Sequence, residues 1–148
     1  MTSNKKPLQI LLADDDDDDA FLFREALDHV NLNTQLMVAE NGMRLMQTLH
    51  QEEYKPDIIF LDMNMPVKNG LECLREIRTQ QGLEGVRVII LSTSVAKYML
   101  DSAYKAGANL YIQKPTSFSA LIEILDKCLF ERYPEGPLLG MEQFLITD

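Results

Sequence analysis

The hydrophobic positions along the chain follow two alternating spacings. Short, nearly continuous apolar runs bounded by polar residues are typical of buried β-strands. The predicted strands are Gln9–Leu12, Gln35–Ala39, Ile58–Leu61, Val86–Leu91 and Leu110–Ile112. Between and after them, apolar residues recur every three or four positions, which is the spacing of one helix face. Five strands alternating with five helices predict a doubly wound α/β fold, because right-handed crossovers place helices on both faces of a parallel sheet.

Capping and turn residues divide this pattern into one domain and a tail. Asp18 or Asp19 is expected to cap the first helix, and the run of acidic residues around them is expected to be solvated. The helical pattern stops after Phe130, where prolines and glycines follow. We therefore expect a single domain over residues 8–130 and a C-terminal tail over residues 131–148, with no effector domain.

Charge and apolar run length restrict the partners and the location of the protein. The formal net charge of −9 disfavours nucleic acid and acidic membrane surfaces, because both attract basic proteins. No apolar run approaches the roughly 20 residues that a membrane-spanning helix needs. No secretory cleavage site follows Lys5 and Lys6, so we expect a cytoplasmic protein. Cys73 and Cys128 lack metal-ligand spacing and are expected to be buried thiols.

Acidic residues follow two of the predicted strands at their carboxyl ends. Asp14 and Asp15 follow the first strand, and Asp62 follows the third. In the flavodoxin-like strand order 2-1-3-4-5 these strands are neighbours, so the three carboxylates would meet at one edge of the sheet. Such a cluster needs a cation, and its oxygen ligands favour Mg²⁺ or Mn²⁺. Asp15 and Asp62 are expected to bind the metal directly. The backbone carbonyl of Asn64 would add a ligand, and Asp14 would act through water.

Two further polar side chains come from the neighbouring strands. Ser92 ends the fourth strand and Lys114 follows the fifth. A metal beside Asp62 would reduce the repulsion between its carboxylate and an incoming phosphoryl group, so that Asp62 could act as a nucleophile and form an aspartyl phosphate. The ammonium of Lys114 and the hydroxyl of Ser92 would each bind a phosphoryl oxygen.

Four stretches of the sequence resemble the motifs of response-regulator receiver domains from two-component signalling. They are Ile10–Asp15, Pro56–Pro66 with Gly70, Ile90–Ser92 and Tyr111–Pro115. The resemblance extends over Leu8–Phe130 and implies a role for each matched residue. The implied roles are Asp14 and Asp15 as the acidic pair, Asp62 as phospho-acceptor, Ser92 as hydroxyl switch, Tyr111 as aromatic switch and Lys114 as the family's lysine.

The resemblance also implies partners and one backbone feature. A sensor histidine kinase or a phosphotransfer protein would supply the phosphoryl group, and the output would be a changed protein-binding surface on the fourth helix, fifth strand and fifth helix. The peptide bond between Lys114 and Pro115 would be cis. The apolar segment Met141–Ile146 would pack on its own domain or across a homodimer, because it is too apolar to stay in solvent.

Three other functions were weighed against this one. A phosphatase with an aspartyl-phosphate intermediate would need a second aspartate two residues after Asp62, where this chain has Asn64. A flavodoxin would place an acidic run next to the FMN phosphate and repel it. A receiver that binds partners without phosphorylation would not need Asp15, Asp62 and Lys114 together. Thr93, where receivers often have a smaller residue, leaves the lifetime of the phosphoryl group open.

Overall fold

The structure, a computed structural model, describes residues 6–51, 53–130 and 144–147. Within these ranges the chain forms five helices and six strands. In chain order they are β1 Leu8–Ala13, α1 Asp17–Asp28, β2 Thr34–Ala39, α2 Gly42–Leu49, β3 Ile58–Asp62, α3 Gly70–Thr79, β4 Arg87–Ser92, α4 Lys97–Lys105, β5 Leu110–Gln113, α5 Phe118–Phe130 and β6 Leu145–Ile146. The predicted α/β class is therefore confirmed.

All six strands are parallel, in the order β2-β1-β3-β4-β5-β6. The first five have the predicted flavodoxin-like order, and β6 is an addition to the five strands predicted. Its residues Leu145 and Ile146 pair with Tyr111 and Ile112 of β5. A strand of two residues is too short to produce a periodic signal in the sequence, which is why the hydrophobic pattern did not predict it.

The central strands are buried on both faces of the sheet. Every residue of β3 is buried, and its apolar side chains from Ile58 to Leu61 have no exposed surface. Burial of each such side chain contributes about 1.5–3 kcal/mol. The edge strand β2 instead alternates between exposed Gln35 and Met37 and more buried neighbours. This difference explains the continuous apolar run of β3, since only an edge strand keeps contact with water.

Two hydrophobic clusters fill the space between the sheet and its helices. Alternate residues of one strand contribute to opposite clusters, as Ile59 and Phe60 do in β3. The first cluster includes buried residues of α2, α3 and α4, and the second includes buried residues of α1 and α5. Phe23 of α1 packs edge-on against Phe60 at a ring-centroid distance of 5.0 Å. The two layers of helices hold the strand ends in a fixed register.

The start of α1 differs from the prediction. The helix is capped by Asp16, whose side chain accepts a hydrogen bond of 3.0 Å from the amide of Asp19. Asp18 and Asp19 therefore lie inside the first turn, and their prediction as caps was wrong. A capping oxygen must precede the helix to reach its free amides, and the sequence offers several equivalent aspartates at this point.

The described end of the chain packs on the sheet. Phe144 is fully buried, with ring centroids 5.1 Å from Tyr104 and 6.1 Å from Tyr111. The rest of the apolar tail segment, from Met141 to residue 143, lies outside the described residues, as do residues 131–140. A search of the described residues for a helix long and apolar enough to cross a membrane found none.

Candidate functional site: a carboxylate cluster with a lysine

The carboxyl ends of β1 and β3 bring the three predicted acidic residues together. Ala13 pairs with Leu61, so the residues that follow them, Asp14 and Asp62, extend from neighbouring strands. One carboxylate oxygen from each of Asp14, Asp15 and Asp62 lies within 4.8 Å of the others. Asp14 and Asp62 are only 4% and 5% exposed, whereas Asp15 is open to solvent. The site is therefore buried at Asp14 and Asp62 and open to solvent at Asp15.

Backbone amides fix one oxygen of each buried carboxylate. The Asp16 amide donates to Oδ1 of Asp14, and the Asn64 amide donates to Oδ1 of Asp62, each at 3.0 Å. These bonds orient the two carboxylates while leaving lone pairs on their oxygens for a ligand. An all-oxygen cluster open to water on one side fits a hard divalent cation. The predicted ligation by the Asn64 carbonyl stays a prediction.

Lys114 neutralises part of this cluster. Its Nζ lies 2.9 Å from Oδ2 of Asp19, 3.2 Å from Oδ2 of Asp14 and 3.4 Å from Oδ2 of Asp62. Burial by itself would lower the pKa of Lys114, but the hydrogen bond to Asp19 and the charges of Asp62 and Asp14 outweigh burial and raise that pKa. Lys114 is therefore a permanent cation at the site.

Burial has the opposite effect on Asp14. It raises the pKa of Asp14 to about 6, against the effects of the hydrogen bond from Asp16 and the positive charge of Lys114. A buried carboxylate near a second one is costly to ionise, since both charges lose water and repel each other. Near neutral pH the Asp14 carboxyl is mainly ionised, and a bound cation would favour that form further.

The two predicted switch residues lie beside the cluster, in the interior. Ser92 is fully buried at the end of β4, and its carbonyl accepts a hydrogen bond of 2.8 Å from the amide of Lys114. Tyr111 is also fully buried, and its hydroxyl donates to the Ser94 carbonyl at 2.7 Å. Thr93, next to Ser92, is exposed.

The prediction of a cis peptide bond before Pro115 was wrong, because the described residues contain no cis peptide. Across a trans bond the side chain of Lys114 still reaches Asp14, Asp19 and Asp62. The cis geometry was expected in order to aim this side chain inward. The long, flexible side chain of Lys114 can point inward without a cis bond.

Asp19 is the site residue that the sequence reading missed. It was assigned to a solvated acidic face, yet it makes the shortest contact with Lys114. The signal was available in principle, because a cap at Asp16 puts Asp19 on the first helical turn, close to the end of β1. With six consecutive aspartates, the sequence does not show which one caps α1 and which one points inward.

A comparison with protein families agrees with this geometry. Residues 10–126 match the family model for the response regulator receiver domain, which covers well over half of the chain. The chain belongs to the response regulator receiver family. As a receiver, it is a phospho-accepting response regulator of two-component signalling, and its acidic pocket fits metal-assisted phosphorylation of an aspartate.

Two curated relatives match this receiver over most of their own length. Response regulator Rcp1 from Synechocystis sp. is 31% identical over 124 residues, which is 80% of this chain and 84% of Rcp1. A chemotaxis protein CheY homolog from Campylobacter jejuni is 29% identical over 129 residues, covering 87% of this chain and 98% of the homolog. Both relatives are named as signalling proteins.

Solved structures show the same receiver fold. The phosphorylated cyanobacterial phytochrome response regulator RcpA matches with a TM-score of 0.78 and 31% identity, over 83% of this chain and 91% of RcpA. The Mn²⁺-bound form of Rcp1 also matches with a TM-score of 0.78, at 27% identity, over 88% of this chain and all of that one. Together with the carboxylate cluster, these likenesses support a divalent-metal site in this receiver.

Two glycines hold the receiver's β3–α3 loop against its neighbours. A Cβ on Gly70 would clash with the carbonyl oxygen of Asp62 and lie 2.8 Å from Cα of Met63. A Cβ on Gly42, at the start of α2, would clash with the carbonyl oxygen of Lys68. Both contacts are with backbone atoms, which cannot rotate away as a flexible side chain can. The loop that orients Asp62 therefore requires glycine at both positions, because neither has room for a side chain.

Proposed function

We propose that Asp62 is the residue that accepts the phosphoryl group. The observation that carries this assignment is its central position. Asp62 ends β3 between the acidic pair that follows β1 and the strand β4 that ends in Ser92, and its Oδ2 lies 3.4 Å from Nζ of Lys114. Asp14 shares the cluster but follows β1, one strand further from Ser92.

Each neighbouring side chain has a part in this proposal. Asp15 and Asp62 would hold Mg²⁺ or Mn²⁺, with Asp14 acting through water and Asn64 contributing its carbonyl. When bound, the metal would offset the charge on the phosphoryl oxygens as they approach the carboxylates.

The transfer itself needs only positioning and charge stabilisation. An oxygen of Asp62 forms a bond to phosphorus while the bond between phosphorus and the donor atom breaks, and the donor leaves with that electron pair. Lys114 and the Ser92 hydroxyl would each hold a phosphoryl oxygen, and Tyr111 would respond to the movement of Ser92.

The partner that we propose as phosphodonor is a sensor histidine kinase or a phosphotransfer protein, which act on receivers generally. We place the protein in the cytoplasm as a signalling protein and not an enzyme, with a receiver domain over residues 8–130 and a tail over residues 131–148. The net charge of −9 supports protein partners over nucleic acid or membranes.

Output would pass through the α4–β5–α5 surface to a downstream protein or a second copy of the chain. Tyr98, with 74% of its side chain exposed, and Lys105 lie on this surface. Tyr111 was expected there too, but it lies beneath, buried against Phe144. Its movement would therefore act on the surface through its neighbours. Sedimentation of the protein with and without phosphorylation tests the homodimer.

Incubation with acetyl phosphate and Mg²⁺ tests the assignment of the acceptor. We expect intact-mass spectrometry to show one added phosphoryl group, lost on mild base treatment as an acyl phosphate is. The Asp62→Asn variant should take up none, and chelation of the metal should stop the wild-type reaction. Equal labelling of the wild type and Asp62→Asn would show that another residue is the acceptor.

A further inference from the structure

The geometry points to Asp19 as a positioning residue that holds Lys114 and slows phosphorylation until Lys114 is released. Asp19 makes the shortest of the three carboxylate contacts to Nζ of Lys114, at 2.9 Å. This inference rests on the proposed role of Lys114 in binding the phosphoryl group.

The contact of Asp19 is not explained by its place in the helix. Asp16 already caps α1, and Asp17 and Asp18 already place negative charge in the exposed first turn, where the helix dipole favours it. Asp19 also lies outside the group of carboxylates that could share a metal ion. Its side chain is instead directed at the ammonium group of Lys114, and this contact does not serve the helix itself.

The ammonium group of Lys114 has three N–H donors, and in this state three carboxylates surround it. A phosphoryl oxygen can accept a hydrogen bond from Lys114 only if one of the carboxylates gives up its own hydrogen bond to Nζ. The three candidates differ in access to water, since the side chains of Asp14 and Asp62 are 2% and 7% exposed and that of Asp19 is 41% exposed.

Exposure determines which contact is released. A buried carboxylate that loses its partner is left desolvated, and that outcome is expensive. Asp19 can be rehydrated when Lys114 moves away, so its contact is the one that costs least to break. Until it breaks, Asp19 competes with the phosphoryl group for Lys114 and adds a negative charge near the incoming anion.

The prediction is that removal of the Asp19 charge speeds phosphorylation. With acetyl phosphate and saturating Mg²⁺, we expect Asp19→Asn to react about two- to fivefold faster than wild type, the range expected for loss of a partly exposed ion pair. Asp19→Ala should behave like Asp19→Asn. Asp19→Glu keeps the charge on a longer arm and should restore a rate close to that of wild type.

Asp18→Asn is the matched control, because it removes the same charge from the same exposed helical turn. Its rate should stay close to that of wild type. Equal rates for the Asp19→Asn and Asp18→Asn variants, or a slower reaction of Asp19→Asn, would overturn the inference while leaving the proposed function intact. Absence of phosphorylation in the wild type would instead overturn the proposed function.

Discussion

A single half-buried guanidinium, that of Arg78, connects three separate parts of the chain. Nε of Arg78 donates to the Gly107 carbonyl at 2.9 Å, Nη1 donates to the Val86 carbonyl at 2.6 Å, and Nη2 donates to Oδ1 of Asn109 at 2.8 Å. The same oxygen of Asn109 accepts from the Val88 amide at 2.8 Å. Burial lowers the pKa of Arg78, and its partners are carbonyl oxygens. Arg78 thus joins α3 to the residues just before β4 and to those just before β5.

Replacement of Arg78 by alanine should therefore destabilise the fold. We expect the free energy of unfolding to fall by about 3 kcal/mol, because several partly buried carbonyls lose their donors at once. Arg78→Lys should recover little of that loss, since an ammonium cannot present the planar fork of donors. Urea denaturation measures the differences.

Arg75→Ala is the control for Arg78→Ala, since Arg75 lies on the exposed side of the same helix. It should change stability by no more than about 0.5 kcal/mol. A fully stable Arg78→Lys variant would contradict the importance of the fork geometry.

The residues of the site were easier to predict than Arg78 or Asp19. Asp14, Asp62 and Lys114 each stand within two residues of the end of a predicted strand, and the geometry of parallel sheets brings such positions together. Arg78 gave no such signal, because its partners are backbone carbonyls whose positions depend on the folded loops. Asp19 was missed since its role depends on which aspartate caps the helix, a difference that side-chain type alone does not encode.

At the scale of elements, the junction between β3 and α3 is the most constrained part of the site. Helix α3 begins after Asn69, whose side chain and that of Glu72 form a reciprocal capping box. Gly70, the first residue of the helix, lies directly against the backbone at the end of β3. A helix that starts this close to Asp62 fixes the loop that carries Asn64.

A methyl group at Gly70 should disturb both the stability and the chemistry of the site. We expect Gly70→Ala to lower the free energy of unfolding by about 1–3 kcal/mol, as overpacking does, because the clash is with backbone atoms. Phosphorylation by acetyl phosphate should also slow, since the Asn64 amide that orients Asp62 must shift.

Gly85→Ala is the matched control for Gly70→Ala. A Cβ at Gly85 would have no heavy atom within 4 Å, so this variant should keep both the stability and the rate of the wild type. If the two variants behave alike in denaturation and in phosphorylation, the close approach of Gly70 to β3 does not matter for the site.

Secondary structure followed the hydrophobic pattern closely where elements were long. The run from Ile58 to Leu61 became the buried strand β3, and the helical pattern that stops after Phe130 became α5, which ends at that residue. The pattern failed at β6, where Leu145 and Ile146 form a strand through a partner distant in sequence. Such a pairing depends on tertiary contacts and has no local period to detect.

At the scale of the whole molecule, Phe144 connects the end of the chain to the core. It is fully buried in the cluster that also contains Tyr111 and residues of α2, α3 and α4. Leu145 packs against the same cluster, and Ile146 packs against the cluster on the other face of the sheet. The C-terminal residues therefore belong to both layers of the fold.

Loss of the Phe144 ring should reduce the stability of the entire domain. We expect Phe144→Ala to lower the free energy of unfolding by about 3–5 kcal/mol, the usual cost of deleting a buried aromatic side chain. Phe21→Ala is the control, because Phe21 is 59% exposed on α1 and should contribute little. Thermal and urea denaturation of both variants measure the effect, and similar losses in the two would contradict the packing of Phe144.

The packing of Phe144 against Tyr104 and Tyr111 also has an optical consequence. The sequence contains five tyrosines and no tryptophan, so the near-ultraviolet signal of the protein comes from tyrosine with weak contributions from phenylalanine. Aromatic rings held in fixed, asymmetric surroundings give a near-ultraviolet circular dichroism band, and that band disappears when tertiary packing is lost. With two of its tyrosines, one on α4 and one on β5, in ring contact with Phe144, the unlabelled chain carries its own dichroic reporter of this packing. The packing of Phe144 on the sheet can therefore be followed in the tyrosine band of the near-ultraviolet spectrum without an added dye.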